Sequence, residues 1–301
     1  MNKIQVLLSS YNGEKYIEEQ IKSILKQEGD IQVSILIRDD GSTDNTIKIL
    51  EKLINENNNI EIYKGENIGP ARSFMDLLYK SGDYDYYAFA DQDDVWMPNK
   101  LISAVNKLKG MEERPSLYIS ALEIVDEKLN TIEIKKVSGN LSFEGQMIKN
   151  LATGCTQVFN KKLCDIIKQY NPTYLIMHDS WITRVCYAIG GNVIVDDNAY
   201  IKYRQHSNNV LGYNDEGLQK LKRQFKIAFI NNIAMRVNIA KELKKGYESM
   251  LTDNTREVIE KLISYQHNRK AKMWLLKNKN FRSNNKKLDR KMKLSIILNK
   301  F

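Results

Sequence analysis

Apolar and amphipathic segments alternate through the first half of the chain. Apolar runs of strand length occupy residues 4–9, 33–37, 60–63 and 86–90, and helical spacing occupies residues 14–27, 43–55 and 70–80. This alternation is typical of βαβ units, in which helices cover both faces of a mainly parallel sheet. Ligands of such sheets bind beyond the carboxyl ends of the strands. We therefore predict an α/β fold with a doubly wound sheet.

The second half of the chain has a different pattern. Shorter strand-like segments follow at 117–121, 157–159, 192–195 and 200–203, and some of them should be antiparallel, which makes the sheet mixed. From about residue 216 the spacing is helical, through Leu218, Leu221, Phe225, Phe229 and Ile233 and again over 255–276 and 292–298. The pattern predicts a sheet-containing domain over residues 1–212 and a helical C-terminal extension over 213–301.

Composition and cysteine usage are typical of a globular intracellular protein. The chain has 301 residues, of which 42% are hydrophobic, enough for a sizeable core. Cys155, Cys164 and Cys186 are an odd set without metal-ligand spacing, so we expect reduced, buried thiols. Neither a signal peptide nor an uncharged apolar stretch near 18 residues is present, which predicts a cytoplasmic location and no spanning helix.

The net charge of +9 conceals an asymmetry between the two halves. Residues 218–301 hold 22 Lys and Arg against 6 Asp and Glu, which leaves 24 basic against 31 acidic residues for positions 1–217. Over 282–301 the basic residues interleave with apolar ones, a pattern typical of a segment that lies on an anionic membrane at its cytoplasmic face. The alternative is that these helices pack on the rest of the chain or on a second subunit, for example in a homodimer. A nucleic-acid partner is disfavoured, because few aromatic residues interleave with the charges.

The turn after the apolar run 86–90 is strongly acidic. Asp91, Asp93 and Asp94 lie within four residues, with Gln92 between them. Clustered carboxylates repel one another and raise one another's pKa unless a cation neutralises them. Mg2+ and Mn2+ prefer such oxygen ligands and accept diphosphate oxygens in their remaining positions. The turn therefore predicts a divalent cation and nucleotide-linked chemistry.

Two further strand or helix ends carry polar residues. After the second strand, Gly41 permits a tight turn and residues 42–44 can cap the next helix, which leaves Asp39 and Asp40 exposed to bind a nucleobase and a ribose. An ordinary helix cap is the alternative, but it explains only residues 42–44. At the start of the helix at Pro70, Arg72 is a candidate for binding an anion, and a plain loop-to-helix junction is the equal alternative.

Together these segments resemble those of family 2 glycosyltransferases, which have the nucleotide-diphospho-sugar transferase fold called GT-A. The matching segments are residues 9–13, 39–44, 67–69 and 91–96. Residues 178–181 and 203–212 are similar to segments of bacterial rhamnosyltransferase-like members. The resemblance extends from residue 1 to about residue 215.

The resemblance implies a donor site and a metal site. In the donor site, Asp39 and Asp40 would hold the base and the ribose. The remaining donor-binding candidates are Ser10, Tyr11, Asn12, Asn67, Gly69, Arg72, Asp91, Gln92 and Arg204. Asp91 and Asp93 would form the D-x-D pair, with Asp93 as the direct ligand of Mn2+ or Mg2+. His206 would complete the metal shell or contact the diphosphate.

The resemblance also implies an acceptor side. Asp179 would be the general base, and His178 would hydrogen-bond to Asp179 or to the acceptor. Trp96 and Trp181 are candidates for stacking on a sugar, and core packing is the equal alternative for both.

The implied reaction is inverting transfer of a hexosyl residue, namely L-rhamnose from dTDP-L-rhamnose, to a surface polysaccharide or its lipid-linked precursor. UDP-glucose, UDP-galactose or a UDP-amino sugar is the alternative donor. A silent scaffold with the same fold and a nucleic-acid-binding protein are the other classes of function, and the complete acidic motifs argue against both.

Overall fold

A single mixed sheet organises the protein. The computed structural model describes residues 1–206 and 235–301. The strands within these ranges are β1 (Asn2–Ser10), β2 (Ile31–Asp39), β3 (Ile60–Lys64), β4 (Tyr86–Ala90), β5 (Val95–Trp96), β6 (Ser116–Val125), β7 (Thr131–Lys135), β8 (Val158–Asn160) and β9 (Asn192–Arg204).

The strand order is β3-β2-β1-β4-β8-β6-β9-β5, with β7 paired to β6. The first four strands of this order are mutually parallel, as the βαβ pattern predicted. Strand β8 is antiparallel to β4 and β6, and β9 is parallel to β6. The segments predicted as separate strands at 192–195 and 200–203 are one strand, whose register against β6 shifts between Asp196 and Ala199.

The helices lie on both faces of the sheet. They are α1 (Ile17–Leu25), α2 (Thr46–Glu56), α3 (Pro70–Lys80), α4 (Lys100–Leu108), α5 (Phe143–Ile148), α6 (Lys161–Lys168), α7 (His178–Ala188), α8 (Met235–Tyr247), α9 (Asp253–Ser264), α10 (Arg269–Lys277) and α11 (Lys286–Ile297). The helix predicted over 70–80 is confirmed. The pattern predicted over 255–276 is two helices, because the Asn268 side chain accepts from the amides of Lys270 and Ala271 and so begins a new helix.

Alternation along the strands divides the core into two layers. On β1, Ile4, Val6 and Leu8 point into the layer beneath α1, α2 and α4, whereas Leu7 points into the layer beneath α3, α6 and α7. All four side chains are fully buried. The strong apolar character of β1 and β4 on both faces is what a central parallel strand requires.

The C-terminal helices pack on the second of these layers. Their buried residues join the same hydrophobic cluster as α3, α6 and α7. On α8, Glu242 accepts hydrogen bonds from Tyr170 Oη at 2.7 Å and from the Thr173 amide at 2.9 Å. On α9, Thr255 Oγ1 donates to the Ala188 carbonyl at 2.6 Å. The described C-terminal helices therefore pack on the sheet-containing part of the chain.

Two predictions about the C-terminal half concern residues that the structure does not describe. The proposed boundary near residue 212 and the helical pattern through 218–233 lie outside the described residues. Among the helices that the structure describes, none combines the length and the apolar character needed to cross a bilayer.

Candidate active site

Three loops meet at the carboxyl edge of the parallel strands. The Tyr11 amide, after β1, donates to Gln92 Oε1 at 2.8 Å, and Gln92 Nε2, after β4, donates to the Tyr11 carbonyl at 3.0 Å. The Asp40 amide, after β2, donates to the Ser10 carbonyl at 2.8 Å. The crossover from β3 to β4 on the other side of β1 brings these ends together, at the place where the strand order reverses.

The loop after β1 is held in an unusual backbone conformation. Asn12 has φ of 48°, and its side-chain oxygen accepts from the Thr43 amide at 2.8 Å, which stabilises this left-handed turn. A side chain at Gly13 would clash with Gln92. Tyr11 and Asn12 are exposed, whereas Ser10 is fully buried.

Asp39 and Asp40 are buried, so the prediction that they are exposed was wrong. Each residue is only 2% exposed. Asp39 accepts from Ser10 Oγ at 3.1 Å, and from the amide and hydroxyl of Ser42 at 2.8 and 2.6 Å. These bonds satisfy both carboxylate oxygens within the protein. Asp39 therefore joins the loops after β1 and β2.

Asp40 performs the same task on the opposite side of the loop. Its carboxylate pairs with the buried Arg38 guanidinium, and it accepts from the amides of Ile68 and Gly69 at 3.0 and 2.9 Å. Gly69 has φ of +78°, a conformation that favours glycine and that begins α3. The bonds to Asp40 thus position the 67–69 segment, in which the Asn67 side chain is exposed.

Arg72 does not face the cleft as an anion-binding group. Its guanidinium donates to the carbonyls of Pro172 and Thr173 at 2.7 and 2.8 Å. The anion-binding prediction for Arg72 is therefore corrected to a structural role, because these donors tie α3 to the loop before α7.

Asp91 and Asp94 form an inner acidic cluster with Cys155. The possible ligand atoms of the three side chains all lie within 4.8 Å of one another. Burial, together with the charges of Asp93 and Asp179, raises the pKa of Asp91 to about 7. Burial also raises the pKa of Asp94, whose Oδ2 is buried and accepts no hydrogen bond from the described residues. Such an orphaned oxygen is costly unless a ligand completes the site.

The donor set of the inner cluster suits a hard divalent cation. Two carboxylates supply the oxygen ligands that Mg2+ and Mn2+ prefer. Burial raises the pKa of the Cys155 thiol well above its usual value, so this residue stays protonated and is a poor ligand for such an ion. Sequence reasoning missed Cys155 because its only signal was a lone cysteine in the 3₁₀ turn Gly154–Thr156, which precedes β8.

A buried lysine lies close to this cluster. Lys100 is 1% exposed, and its Nζ lies 3.5 Å from the centroid of the Trp96 ring without a hydrogen-bond acceptor among the described residues. Burial lowers the pKa of Lys100 to about 7, while the charges of Cys155 and Asp94 act in the opposite direction. Trp96 is itself 3% exposed, so the sugar-stacking role considered for it is wrong. The Trp96 ring covers Lys100 instead, as a cation–π partner.

Asp93 belongs to an outer pair with His206. His206 Nε2 and Asp93 Oδ2 are 2.8 Å apart, and the imidazole ring lies 5.0 Å from the Tyr16 ring. Both side chains of the pair are partly buried. The structure therefore brings together the two residues that the sequence analysis grouped as metal ligands.

Arg204 fixes the acidic turn rather than extending towards a diphosphate. It is 3% exposed, and it donates from Nε to the Asp93 carbonyl at 2.9 Å and from a terminal nitrogen to the Glu127 carbonyl at 2.7 Å. It also pairs with Glu19 on α1. The donor-binding prediction for Arg204 is corrected accordingly, since its guanidinium is engaged within the protein.

Asp179 lies in the first turn of α7. Its Oδ1 accepts from the Ser180 amide at 2.5 Å, and its Oδ2 accepts from Asn150 Nδ2 at 3.2 Å. Burial raises the pKa of Asp179 to about 6, partly offset by these bonds and by the charge of Arg184. Asp179 in turn raises the pKa of Asp91, which shows that the two carboxyl groups interact. Asn150 and Arg184 were not predicted as site residues.

His178 and Trp181 are core residues. The His178 ring stacks on Phe74 at 4.0 Å and meets Phe89 edge-on at 4.7 Å, and burial lowers its pKa to about 3. Neither ring nitrogen hydrogen-bonds within the part of the chain that the structure describes, so the predicted bond to Asp179 is absent there. Trp181 is 2% exposed within the hydrophobic cluster, and its predicted sugar contact is likewise wrong.

Comparison with solved structures defines the class of this fold. The structure of Staphylococcus aureus TarS 1–349 in complex with UDP aligns with a TM-score of 0.56 at 18% identity, over 99% of this chain and 92% of that one. The structure of GalNAc-T7 with UDP, GalNAc and Mn2+ aligns with a TM-score of 0.60 at 13% identity, over 89% of this chain and 58% of that one. The mixed sheet thus has the GT-A-like fold of these structures.

Sequence comparison gives the family. The profile described as glycosyl transferase family 2 matches residues 5–160, which is more than half of the chain. The dTDP-rhamnosyl transferase RfbG of Shigella flexneri is 31% identical over 228 residues, or 72% of this chain and 77% of that protein. The protein belongs to glycosyl transferase family 2 and is a glycosyltransferase.

A second named relative has a different donor. The Escherichia coli protein WfgD, a UDP-Glc:α-D-GlcNAc-diphosphoundecaprenol β-1,3-glucosyltransferase, is 29% identical over 156 residues. The match covers 52% of this chain and 58% of WfgD.

Proposed function

We propose that this glycosyltransferase is inverting and metal-dependent, with Asp179 as its general base. The observation that carries the proposal is the position of Asp179 beside the 3₁₀ turn Gly154–Thr156. A Cβ at Gly154 would lie 3.6 Å from the Asp179 Cβ, and the next residue, Cys155, clusters with Asp91. An acceptor hydroxyl beside Asp179 would then lie next to the group that holds the donor diphosphate.

Asp179 suits proton removal at neutral pH. Its pKa of about 6 keeps it ionised at pH 7 and makes it more basic than an ordinary aspartate. Its carboxylate takes the proton of the acceptor hydroxyl while that oxygen attacks the anomeric carbon. The bond from this carbon to the diphosphate oxygen breaks, and the anomeric configuration inverts. A positioned base of this kind contributes about 10²- to 10⁴-fold to the rate.

The acidic turn is suited to the leaving group. Asp91 and Asp94 of the inner cluster, with the carboxylate and imidazole of the outer Asp93–His206 pair, offer the donors that would hold Mn2+ or Mg2+. When bound, such a cation supplies Lewis-acid stabilisation of the departing nucleoside diphosphate. Arg204 holds the turn, because its amide donates to Asp94 Oδ1 and its Nε donates to the Asp93 carbonyl.

The loops that Asp39 and Asp40 brace would bind the nucleoside. Tyr11, Asn12 and Asn67 have exposed side chains on these loops and would contact the base and ribose. Gln92 fixes the Tyr11 backbone, and so contributes to this subsite through position. Asp39 and Asp40 act here by holding the loops in place.

L-Rhamnose from dTDP-L-rhamnose is the proposed donor, supported by the 31% identity to RfbG. A UDP-hexose is the second candidate, supported by WfgD and by the UDP complex of TarS. The proposed acceptor is a growing surface glycan or its lipid-diphosphate-linked precursor, the latter being the acceptor class in the name of WfgD.

The proposal is tested with the purified chain and a panel of donors. Release of nucleoside diphosphate is measured for dTDP-L-rhamnose, UDP-glucose, UDP-galactose and UDP-N-acetylglucosamine, with Mn2+, with Mg2+ and with EDTA. We expect Asp179→Asn and Asp93→Ala to lower turnover by at least about 10²-fold. Asp197→Asn, at a side chain 66% exposed, is the matched control and should keep the wild-type rate.

The two variants are separated by nucleotide binding. Asp93→Ala should also weaken Mn2+-dependent binding of the nucleoside diphosphate, whereas Asp179→Asn should leave it intact. A wild-type rate for Asp179→Asn, or turnover indifferent to EDTA, would contradict the proposed roles. Retention of the anomeric configuration in the product would contradict the inverting mechanism.

A further inference from the structure

Helix α11 presents two unlike faces. Met292 and Ile296 are 4% and 0% exposed and pack in the hydrophobic cluster that also contains Phe301. Leu294 lies two residues from each of them, about 160° around the helix, and is 56% exposed. Ile297 and Leu298 continue this outward face at 55% and 54% exposure. Three large aliphatic side chains at one helix end form an apolar patch that the fold does not use.

Basic residues surround the patch. The exposed cations of this helix are Lys286, Lys287, Arg290, Lys291 and Lys293. Residues 269–301 as a whole hold twelve Lys and Arg and one acidic residue, Asp289.

Asp289 does not offset this charge at the surface of the helix. Its Oδ1 accepts from the amide and the hydroxyl of Ser283, each at 2.6 Å, and so is directed to the preceding loop. The outward face of α11 is therefore both apolar and strongly cationic.

The helix is held in place by the folded protein. Lys272 Nζ donates to the Ile297 carbonyl at 3.3 Å, and Gln266 Nε2 donates to the Asn299 carbonyl at 3.0 Å. The Phe301 amide donates to Tyr265 Oη at 3.0 Å. Because α11 is already formed and packed, a partner meets a preorganised surface and need not induce a helix.

We propose that the α11 surface, which consists of these five cations with Leu294, Ile297 and Leu298, docks the enzyme on an anionic lipid bilayer. Aliphatic side chains enter the boundary between headgroups and acyl chains, while Lys and Arg meet the anionic headgroups. A second copy of this chain fits less well, because a self-contact would place the same cations opposite one another. A nucleic acid would leave the aliphatic patch without a role, and the patch contains no aromatic side chain for stacking on bases.

Docking on a bilayer does not depend on which donor sugar the enzyme uses. It adds to the proposed function on the acceptor side. A lipid-diphosphate-linked acceptor resides in a bilayer, so attachment would bring the enzyme to its second substrate. The inference rests on the proposed function only in this last respect.

The test is flotation of the full-length chain with lipid vesicles, without any donor sugar. One vesicle preparation is phosphatidylcholine, and the other is an equimolar mixture of phosphatidylcholine and phosphatidylglycerol. We expect binding to the anionic vesicles that weakens with added salt, and little binding to the neutral ones. Circular dichroism should show no gain of helix on binding.

Two variants address the two components of the surface. The triple variant Leu294→Ser, Ile297→Ser, Leu298→Ser and the double variant Lys287→Glu, Arg290→Glu should each weaken binding at least about tenfold. The matched controls are Ile132→Ser with Ile134→Ser, at exposed positions of β7, and Lys107→Glu with Lys109→Glu, at exposed positions at the end of α4. Both control variants should bind as the wild type does.

Each outcome decides the proposal. Unchanged binding by both α11 variants, or no binding of the wild type to anionic vesicles, would overturn it. A concentration-dependent dimer that the triple variant abolishes would instead assign the surface to self-association. All the substituted side chains are exposed, so each variant should unfold at the wild-type temperature. Equal unfolding temperatures exclude misfolding as the cause of weaker binding. Asp179→Asn should bind vesicles normally, so failure of docking and failure of the catalytic proposal remain distinguishable.

Discussion

Two acidic turns lie at the same edge of this sheet on either side of β1, and their carboxylates have different surroundings. After β2, all four carboxylate oxygens of Asp39 and Asp40 accept hydrogen bonds from serine, arginine or backbone amides. After β4, the Oδ2 atom of Asp94 has no such partner among the described residues, and the pKa values of Asp91 and Asp94 are raised by burial. The carboxylates of the first turn are fully hydrogen-bonded within the protein, whereas those of the second turn are suited to bind a cation. Similar residues therefore have a structural role in one turn, and in the other they leave a carboxylate oxygen that the described residues do not satisfy.

The largest difference in stability between the two turns should appear when a carboxylate of the first turn is replaced. Asp40→Asn leaves the buried Arg38 guanidinium with Asp76 as its remaining carboxylate partner. Breaking a buried ion pair in this way costs about 3 kcal/mol of unfolding free energy. Urea denaturation should show this loss equally with EDTA and with Mn2+. A loss that Mn2+ repaired would place the cation at the first turn and contradict the comparison.

The pH dependence of turnover tests the base beside the second turn. The pKa of Asp179 is raised to about 6, and the base must be ionised to accept a proton. Activity should therefore be constant above this value and fall about tenfold for each pH unit below it. The measurement is kcat/KM against pH at saturating Mn2+, with circular dichroism to confirm that the protein stays folded. A profile that is flat down to pH 4 would remove Asp179 from the role.

A smaller effect on the unfolding free energy is expected when one carboxyl group of the second turn is replaced. Asp94→Asn replaces a buried carboxyl that lacks a partner on one oxygen, so in EDTA the unfolding free energy should be unchanged or rise by about 1 kcal/mol. The same variant should reduce the stabilisation that added Mn2+ confers. Thermal unfolding with and without Mn2+ measures both quantities. A loss as large as that of Asp40→Asn would show that the two turns are equivalent.

The smallest effect concerns the buried lysine under the second turn. Lys100→Met removes a cation that faces Asp94, so Mn2+ should bind about threefold more tightly, since one repulsive charge is lost. Titration calorimetry with Mn2+ measures the change, and Lys107→Met on the exposed side of α4 is the control. Weaker Mn2+ binding would mean that Lys100 orders the carboxylates rather than opposing the cation.

Local patterns predicted much of the fold because they report on local physics. The strands β1 to β4 and the helix over 70–80 follow from short apolar runs and helical spacing, together with Pro70 in the first turn of α3. The acidic turn at 91–94 was visible because clustered carboxylates have no packing purpose. The concentration of basic residues in the C-terminal part of the chain was also evident in the composition.

Burial could not be predicted in the same way, because it depends on residues distant in the chain. Trp96, Trp181 and His178 read as possible ligand contacts, yet each lies in the core. Arg72 was a candidate for binding an anion and Arg204 for binding the donor, but loops about 100 residues away in sequence supply their acceptors. A charged or aromatic residue does not by itself reveal which carbonyl or ring will lie opposite it.

The sequence by itself determined the order of strands and helices along the chain and the acidic chemistry of the strand ends, since these depend on neighbouring residues. The tertiary structure alone decided which carboxylates are fully hydrogen-bonded within the protein and which can still bind a ligand. The reason is that the crossovers between strands decide which loops lie next to each carboxylate. It placed Cys155 and Lys100 beside Asp94, and Asn150 beside Asp179. No regular spacing in the sequence indicates these neighbours. It also turned Leu294 outward among cations, because only packing decides which face of a helix meets the core.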